Sequence, residues 1–137
     1  MKFELYGQKW EMDYGLYDDN NKYLYYDDII NLLHPNVTWF FERDDDYQGE
    51  FFVCGYDNQK KWYFIQGSFG SCSGCDWLES VETEEEAINF LTHFKNEVIV
   101  KDTKEEIIKY MQDTVLNTSW SSSTLERLIN KIKDVTI

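Results

Sequence analysis

Aromatic residues are concentrated in the first half of this 137-residue chain. Of its five Trp, ten Tyr and nine Phe, 19 lie in residues 1–69, whereas the C-terminal third is rich in Lys, Ile and Leu. Aromatic runs favour β-strands, and apolar residues at a spacing of three to four favour helices. The sequence therefore predicts one α+β domain over residues 1–137, with an antiparallel sheet from the aromatic N-terminal half packed against about three C-terminal helices.

Apolar runs bounded by turn residues predict the strands. A hairpin is expected around Gly7, and turns are expected at residues 18–21 and 57–60. In the strands expected over residues 37–42, 50–56 and 61–67, apolar residues occupy nearly consecutive positions. Either both faces of the sheet are covered, or one face is used for binding. A further strand is expected at residues 97–101.

Capping boxes predict where the C-terminal helices begin. Each consists of Thr or Ser followed three residues later by Glu, and each precedes apolar residues at helical spacing. Asp27 or Asp28 is expected to cap a shorter helix that ends at Pro35. Asp76 is expected to cap a single helical turn. The three boxes are Thr83–Glu86, Thr103–Glu106 and Ser123–Glu126.

The chain is strongly acidic, with a net charge of −13, of which residues 1–50 carry −8. This charge repels phosphate backbones, so direct binding to DNA or RNA is not expected. The same charge favours contact with a basic surface on a host protein, above all one that itself binds nucleic acid. The alternative is that the acidity only keeps an aromatic-rich protein in solution.

Tyrosines alternate with aspartates in two patches of the aromatic half. Carboxylates can stand in for phosphates, and tyrosine rings can stack where bases or guanidinium groups lie. This pattern is typical of a nucleic-acid mimic, with charge raising the association rate and aromatic side chains acting as anchors. The predicted partner-binding residues are Asp18, Asp19, Tyr23, Tyr25, Tyr26, Asp44, Asp45, Asp46, Tyr47, Glu50, Phe69 and Trp77.

Residues 67–79 combine three glycines with two cysteines. Cys72 and Cys75 have the Cys-x-x-Cys spacing of a zinc or redox site, although only Cys54, His34 and His93 remain as further ligands. The glycines could instead cradle an anion, or the segment could be a recognition loop carrying Phe69 and Trp77. The remaining alternative is a tight strand-to-helix connection with small, buried cysteines.

The stretch Gly70-Ser71-Cys72-Ser73-Gly74-Cys75-Asp76 resembles a motif of small phage and prophage proteins. The resemblance covers seven to ten residues and implies a phage or mobile-element origin. Small acidic phage proteins include anti-CRISPR inhibitors that occupy the nucleic-acid groove of a nuclease. The resemblance thus implies an inhibitor of host defence. The alternatives are a small zinc- or thiol-dependent protein centred on Cys72 and Cys75, and a toxin-neutralising immunity protein.

No constellation of catalytic residues stands out in the sequence. His34 precedes a proline, His93 has no motif around it, and no acid–base pair can be chosen from 26 carboxylates. No enzymatic activity and no cofactor are therefore expected. The absence of a signal-like N-terminus and of a long apolar run, together with three cysteines, predicts a soluble protein of the bacterial cytoplasm without membrane contact.

Overall fold

The computed structural model describes residues 1–70 and 76–137. Within these ranges the chain is α+β, as predicted, with two antiparallel sheets and four α-helices. No helix in the described ranges is long and apolar enough to cross a bilayer. The elements are β1 (Lys2–Leu5), β2 (Gln8–Met12), β3 (Leu16–Tyr17), α1 (Tyr26–Leu33), β4 (Val37–Arg43), β5 (Gly49–Asp57), β6 (Trp62–Phe69), α2 (Glu84–Asn96), β7 (Ile99–Lys101), α3 (Lys104–Tyr110) and α4 (Ser122–Lys133), with a 3-10 turn at Leu78–Ser80 and a π-helical turn at Met111–Val115.

The first three strands form a small sheet of their own. The predicted hairpin is confirmed: β1 and β2 pair antiparallel, with Phe3 opposite Trp10, and the turn places Gly7 at a φ of 75°. The indole of Trp10 is buried and donates to the carbonyl of Leu5 at 3.0 Å. The prediction of a single sheet is therefore wrong, because these strands pair only among themselves in the described chain.

The larger sheet has the order β4-β5-β6-β7 and is buried on both faces. Side chains alternate between the faces of a strand, so neighbouring residues of β5 enter different hydrophobic clusters. Phe51 and Val53 join a cluster with α1, α2 and the small sheet, whereas Phe52 and Cys54 join one with α3 and α4. Of the two alternatives for the apolar strands, coverage of both faces is confirmed. Helix α1 ends at Leu33, before Pro35, and strand β7 covers Ile99–Lys101, so the short helix and the further strand predicted from the sequence are both confirmed.

Two of the three predicted capping boxes lie at helix starts. Thr83 accepts from the amide of Glu86 at 3.1 Å and its own amide donates to the Glu86 carboxylate at 3.1 Å. Thr103 likewise accepts from the amide of Glu106 at 3.1 Å. The box at Ser123 is wrong, because the N-cap of α4 is Ser121, two residues earlier, and Ser123 lies inside the first turn.

Helix α1 is capped from within its first turn. It begins at Tyr26, and the carboxylate of Asp28 accepts from the amide of Tyr25 at 3.0 Å. The predicted position of the cap is therefore wrong, because Tyr25 is the N-cap residue and both Asp27 and Asp28 lie in the first turn. The turn after β6 follows the prediction more closely, since Asp76 accepts from the amide of Leu78 at 3.0 Å.

Candidate functional site

A cleft lies where α1 begins and where β4 and β6 end. Its cavity volume is about 420 Å³. We call it the tyrosine cleft, because the rings of four tyrosines line it together with those of three phenylalanines. Three acidic side chains and one basic side chain complete the described lining. The lining residues are Tyr23, Tyr25, Tyr26, Asp27, Phe41, Arg43, Tyr47, Phe51, Phe69, Gly70, Asp76, Leu78 and Glu79.

A hydrogen-bonded pair, Tyr26 and Asp76, fixes the buried side of the cleft. The hydroxyl of Tyr26 donates to Asp76 Oδ1 at 2.5 Å and accepts from the amide of Leu78 at 3.0 Å. The amide of Gly70 donates to Asp76 Oδ2 at 3.1 Å. Burial, followed by the hydrogen bond to Asp76, raises the pKa of Tyr26. A group that exchanges protons near neutral pH needs a pKa close to that pH, so the Tyr26 hydroxyl has the chemistry of a structural anchor.

The open side of the cleft combines edge-to-face tyrosine rings with negative potential. Tyr23 packs edge-to-face against Tyr17 at 5.4 Å and Tyr25 at 5.0 Å between ring centroids. Burial raises the pKa of Tyr23, and the neighbouring Tyr25, Asp76 and Glu79 raise it further. The carboxylates thus impose a negative field at the rings. The guanidinium of Arg43 lies 4.0 Å from the ring centroid of Phe69.

A second groove adjoins the tyrosine cleft and shares Phe69 with it. Its volume is about 510 Å³, and Trp120, the most exposed large apolar side chain described, at 97%, stands beside it. We call the tyrosine cleft and this groove together the sheet-end surface. The groove is lined by Asp44, Gln48, Gly49, Glu50, Ser68, Phe69, Thr118, Trp120 and Ser121.

Two of the predicted partner-binding acids are engaged inside the protein. Asp44 accepts from the hydroxyls of Ser121 and Thr124 and from the amide of Glu50. Partial burial alone would raise the pKa of Asp44, but these hydrogen bonds hold it below the ordinary value. The carboxylate of Glu50 accepts from the Ser119 hydroxyl at 2.7 Å and from the amide of Trp120 at 3.1 Å. Both acids therefore hold the connector that precedes α4.

The other predicted residues lie at the β4–β5 turn, at the turn of residues 18–21, beside α2 and in the tyrosine cleft. Asp45, Asp46 and Tyr47 are exposed at the β4–β5 turn, with Tyr47 90% exposed. Asp18 accepts from two amides of its own turn, and Asp19 lines a different cleft beside β1 and β2. Trp77 packs against α2. The tyrosine cleft thus brings together five of the predicted residues: Tyr23, Tyr25, Tyr26, Tyr47 and Phe69.

The predicted metal ligands Cys72 and Cys75 lie outside the described residues. Cys54 is fully buried in the cluster beneath α3 and α4, where burial raises the pKa of its thiol. His34 bonds through Nε2 to the carbonyl of Phe94 at 2.9 Å. Among residues 1–70 and 76–137, no three His, Cys, Asp or Glu side chains are grouped to hold a metal ion.

No family model, curated protein or solved structure matches this chain.

The predicted partner-binding residues do not include five charged or exposed aromatic residues of this surface: Asp27, Arg43, Asp76, Glu79 and Trp120. Asp76 was expected only as a helix cap, and its contact with Tyr26 joins residues 50 positions apart, which no local pattern reveals. Trp120 did carry a signal. It stands in the run Thr118-Ser119-Trp120-Ser121-Ser122, outside any apolar periodicity, and a tryptophan in such a run is often exposed for contact.

Proposed function

We propose that this chain is a non-enzymatic, phage-type inhibitor that binds a basic, nucleic-acid-handling host protein through the sheet-end surface. One observation carries the proposal. Tyr25, Tyr47 and Trp120, exposed by 62%, 90% and 97%, stand beside two adjoining clefts. The described lining of these clefts contains five acidic side chains and one basic side chain.

The exposed rings supply the anchors of such an interface. Tyrosine and tryptophan are enriched among the few residues that dominate binding energy, because a large ring buries much apolar area with few rotatable bonds. Exposed singly they need no explanation, but here they flank concave surface, which a partner can fill. The internal hydrogen bonds of Glu50 fix the backbone at Trp120, so the ring projects from an ordered segment of the chain.

Charge supplies the selectivity and speed of association. A net charge of −13 favours encounter with a positively charged groove and disfavours nucleic acid as the ligand. A protein that handles DNA or RNA exposes such a groove. The inhibitor would therefore compete with the nucleic acid for the same basic surface.

Capture and competition test this proposal. The immobilised protein is incubated with bacterial lysate freed of nucleic acid, and the bound proteins are challenged with duplex DNA, with RNA and with graded salt. We expect nucleic acid and salt to release the bound protein. We expect Trp120→Ala and Tyr47→Asn to weaken capture roughly tenfold or more.

Tyr14→Asn is the matched control, since Tyr14 is 93% exposed but lines neither cleft. Its φ of 54° is one that asparagine tolerates, so the substitution should leave the fold intact. The proposal is wrong if Trp120→Ala and Tyr47→Asn capture the same proteins as strongly as Tyr14→Asn, or if nucleic acid releases nothing.

Charge reversal at the β4–β5 turn tests the electrostatic part. Asp45→Lys with Asp46→Lys should slow association with the captured protein and flatten its salt dependence, because both acids are exposed. Asp44 is left unchanged, since its carboxylate holds Ser121 and Thr124. Equal association rates for the wild type and the double variant would remove this turn from the mechanism.

A further inference from the structure

We infer that the tyrosine cleft receives the guanidinium group of an arginine side chain on the partner protein. The inference rests on the proposed function, since it names the chemical group by which the partner is held.

Aromatic walls and carboxylates occur together in this cleft. A guanidinium is planar, stacks on aromatic faces and pairs with carboxylates through several N–H groups. Tyr23, Tyr25 and Tyr47 supply rings, and Asp27 and Glu79 supply carboxylates. An anion or a phosphate would meet repulsion from three acids in the same lining.

The carboxylates at the mouth of the cleft are available to a ligand. Among the described residues, neither Asp27 nor Glu79 makes a side-chain hydrogen bond or an ion pair with another group, and both are exposed. Asp76 is different, because the Tyr26 hydroxyl and two backbone amides already occupy its oxygens. Asp27 and Glu79 are therefore the acids that an incoming cation would meet.

The protein already holds one guanidinium against the wall of this cleft. Arg43 stacks on Phe69 at 4.0 Å, and Phe69 lines both the cleft and the adjoining groove. The stacking shows that the geometry of these walls suits a guanidinium face. One arginine leaves an excess of negative charge against the three acids, so a second cation is favoured.

The size of the cleft also fits this occupant. Ligand sites range from roughly 300 to 1,000 Å³, and a volume of about 420 Å³ accommodates the guanidinium with its methylene stem. The stem can contact the tyrosine rings while the head group reaches the acids.

Titration of the whole protein with short capped peptides tests the inference. The probes are acetyl-Gly-Arg-Gly-amide, its citrulline analogue, which has the same shape but no charge, and its lysine analogue. Binding is followed by NMR shifts of backbone amides, including those of Tyr25, Gly70 and Glu79. We expect saturable shifts at these amides with the arginine peptide, and binding roughly tenfold weaker with citrulline and clearly weaker with lysine.

Substitution in the cleft gives a second readout. Glu79→Gln and Asp27→Asn should each weaken arginine binding several-fold, whereas Glu126→Gln should not. Glu126 is an exposed acid on α4, outside the lining of the cleft, and so matches the change in charge. The spectra of the variants without peptide establish that each is folded.

The inference is overturned if the arginine peptide produces no saturable shift, or if citrulline or lysine binds as well as arginine. It is also overturned if Glu79→Gln and Asp27→Asn leave arginine binding unchanged. The arginine inference can be wrong while the proposed function is right, and the variants distinguish the two cases. If Trp120→Ala abolishes capture of the partner while the cleft variants retain it, the surface binds its partner without an arginine in the cleft.

Discussion

Asp44 illustrates how an acidic residue that looks like part of a charged surface can be a structural group. Its carboxylate joins the β4–β5 turn to the start of α4 through the hydroxyls of Ser121 and Thr124. Its neighbour Asp45 has the same charge and is exposed. The two residues are adjacent in sequence, and only the tertiary contacts of Asp44 distinguish them.

We expect Asp44→Asn to lower the free energy of unfolding by about 2 kcal/mol at neutral pH, because hydrogen bonds to a charged acceptor are replaced by weaker ones. The folded-state pKa of Asp44 is depressed, so its contribution is present above the unfolded-state pKa and is lost as pH falls through the folded-state pKa. Urea unfolding between about pH 6 and pH 2 should show a smaller acid-induced loss in the variant.

Asp45→Asn is the control, and it should retain the acid response of the wild type. An Asp44→Asn protein as stable as Asp45→Asn at neutral pH would contradict the structural role of this carboxylate.

The hydroxyl of Tyr26 anchors the buried carboxylate of Asp76. Tyr26→Phe removes the hydroxyl that donates to Asp76, and the buried carboxylate loses one donor. We expect a loss of about 1–3 kcal/mol in the free energy of unfolding, measured with urea. Tyr25→Phe serves as the control, because Tyr25 is 62% exposed and its hydroxyl makes no hydrogen bond within the described residues. Equal stability of the two variants would show that the Tyr26 hydroxyl contributes nothing.

Among the secondary-structure elements, strand β5 contributes side chains to the hydrophobic clusters on both faces of the larger sheet. Phe51 and Phe52 are both buried, yet they belong to clusters on opposite faces. We expect Phe51→Ala and Phe52→Ala each to cost about 3–5 kcal/mol, because each leaves a cavity in a packed core. Chemical unfolding of the two variants measures the loss in the free energy of unfolding. Were either substitution nearly neutral, one face of the sheet would not be packed as described.

Helix starts and central strands could be read from the sequence where the signal is local. The boxes at Thr83 and Thr103 mark helix starts because the bonding groups are three residues apart. The box at Ser123 failed because distant residues, Asp44 and Glu50, fix the connector and set the start of α4. Pairing of β7 with β6, across 35 or more residues, has no local signal either.

The residues of the candidate site were likewise predictable only where their signal is local in the sequence. The tyrosines that line the tyrosine cleft were predicted because they alternate with aspartates in the sequence. Asp76 and Glu79 were not, since they reach the cleft from a turn some 50 residues further along the chain. Composition predicts an acidic, aromatic surface, but long-range packing decides which acids belong to it.

At the scale of the whole molecule, the net charge of −13 opposes compaction. The described structure contains three ion pairs, two of them on Glu42, so most acids are left without a paired cation in that part of the chain. We expect the melting temperature at neutral pH to rise as sodium chloride increases from about 20 mM to about 200 mM, since salt screens the repulsion. The rise should shrink near the isoelectric point of about 4.4. A melting temperature that falls with salt would indicate that attractive pairs dominate.

The division of β5 between two hydrophobic clusters also bears on how cooperatively the protein unfolds. Adjacent residues of one strand belong to different cores, so loss of either core would expose one side of β5 to solvent. We expect two cores that share a central strand to unfold as one cooperative unit. Deletion of the residues after β7 would remove the helices that cover Phe52 and Cys54, and we expect the remaining chain to be unstable.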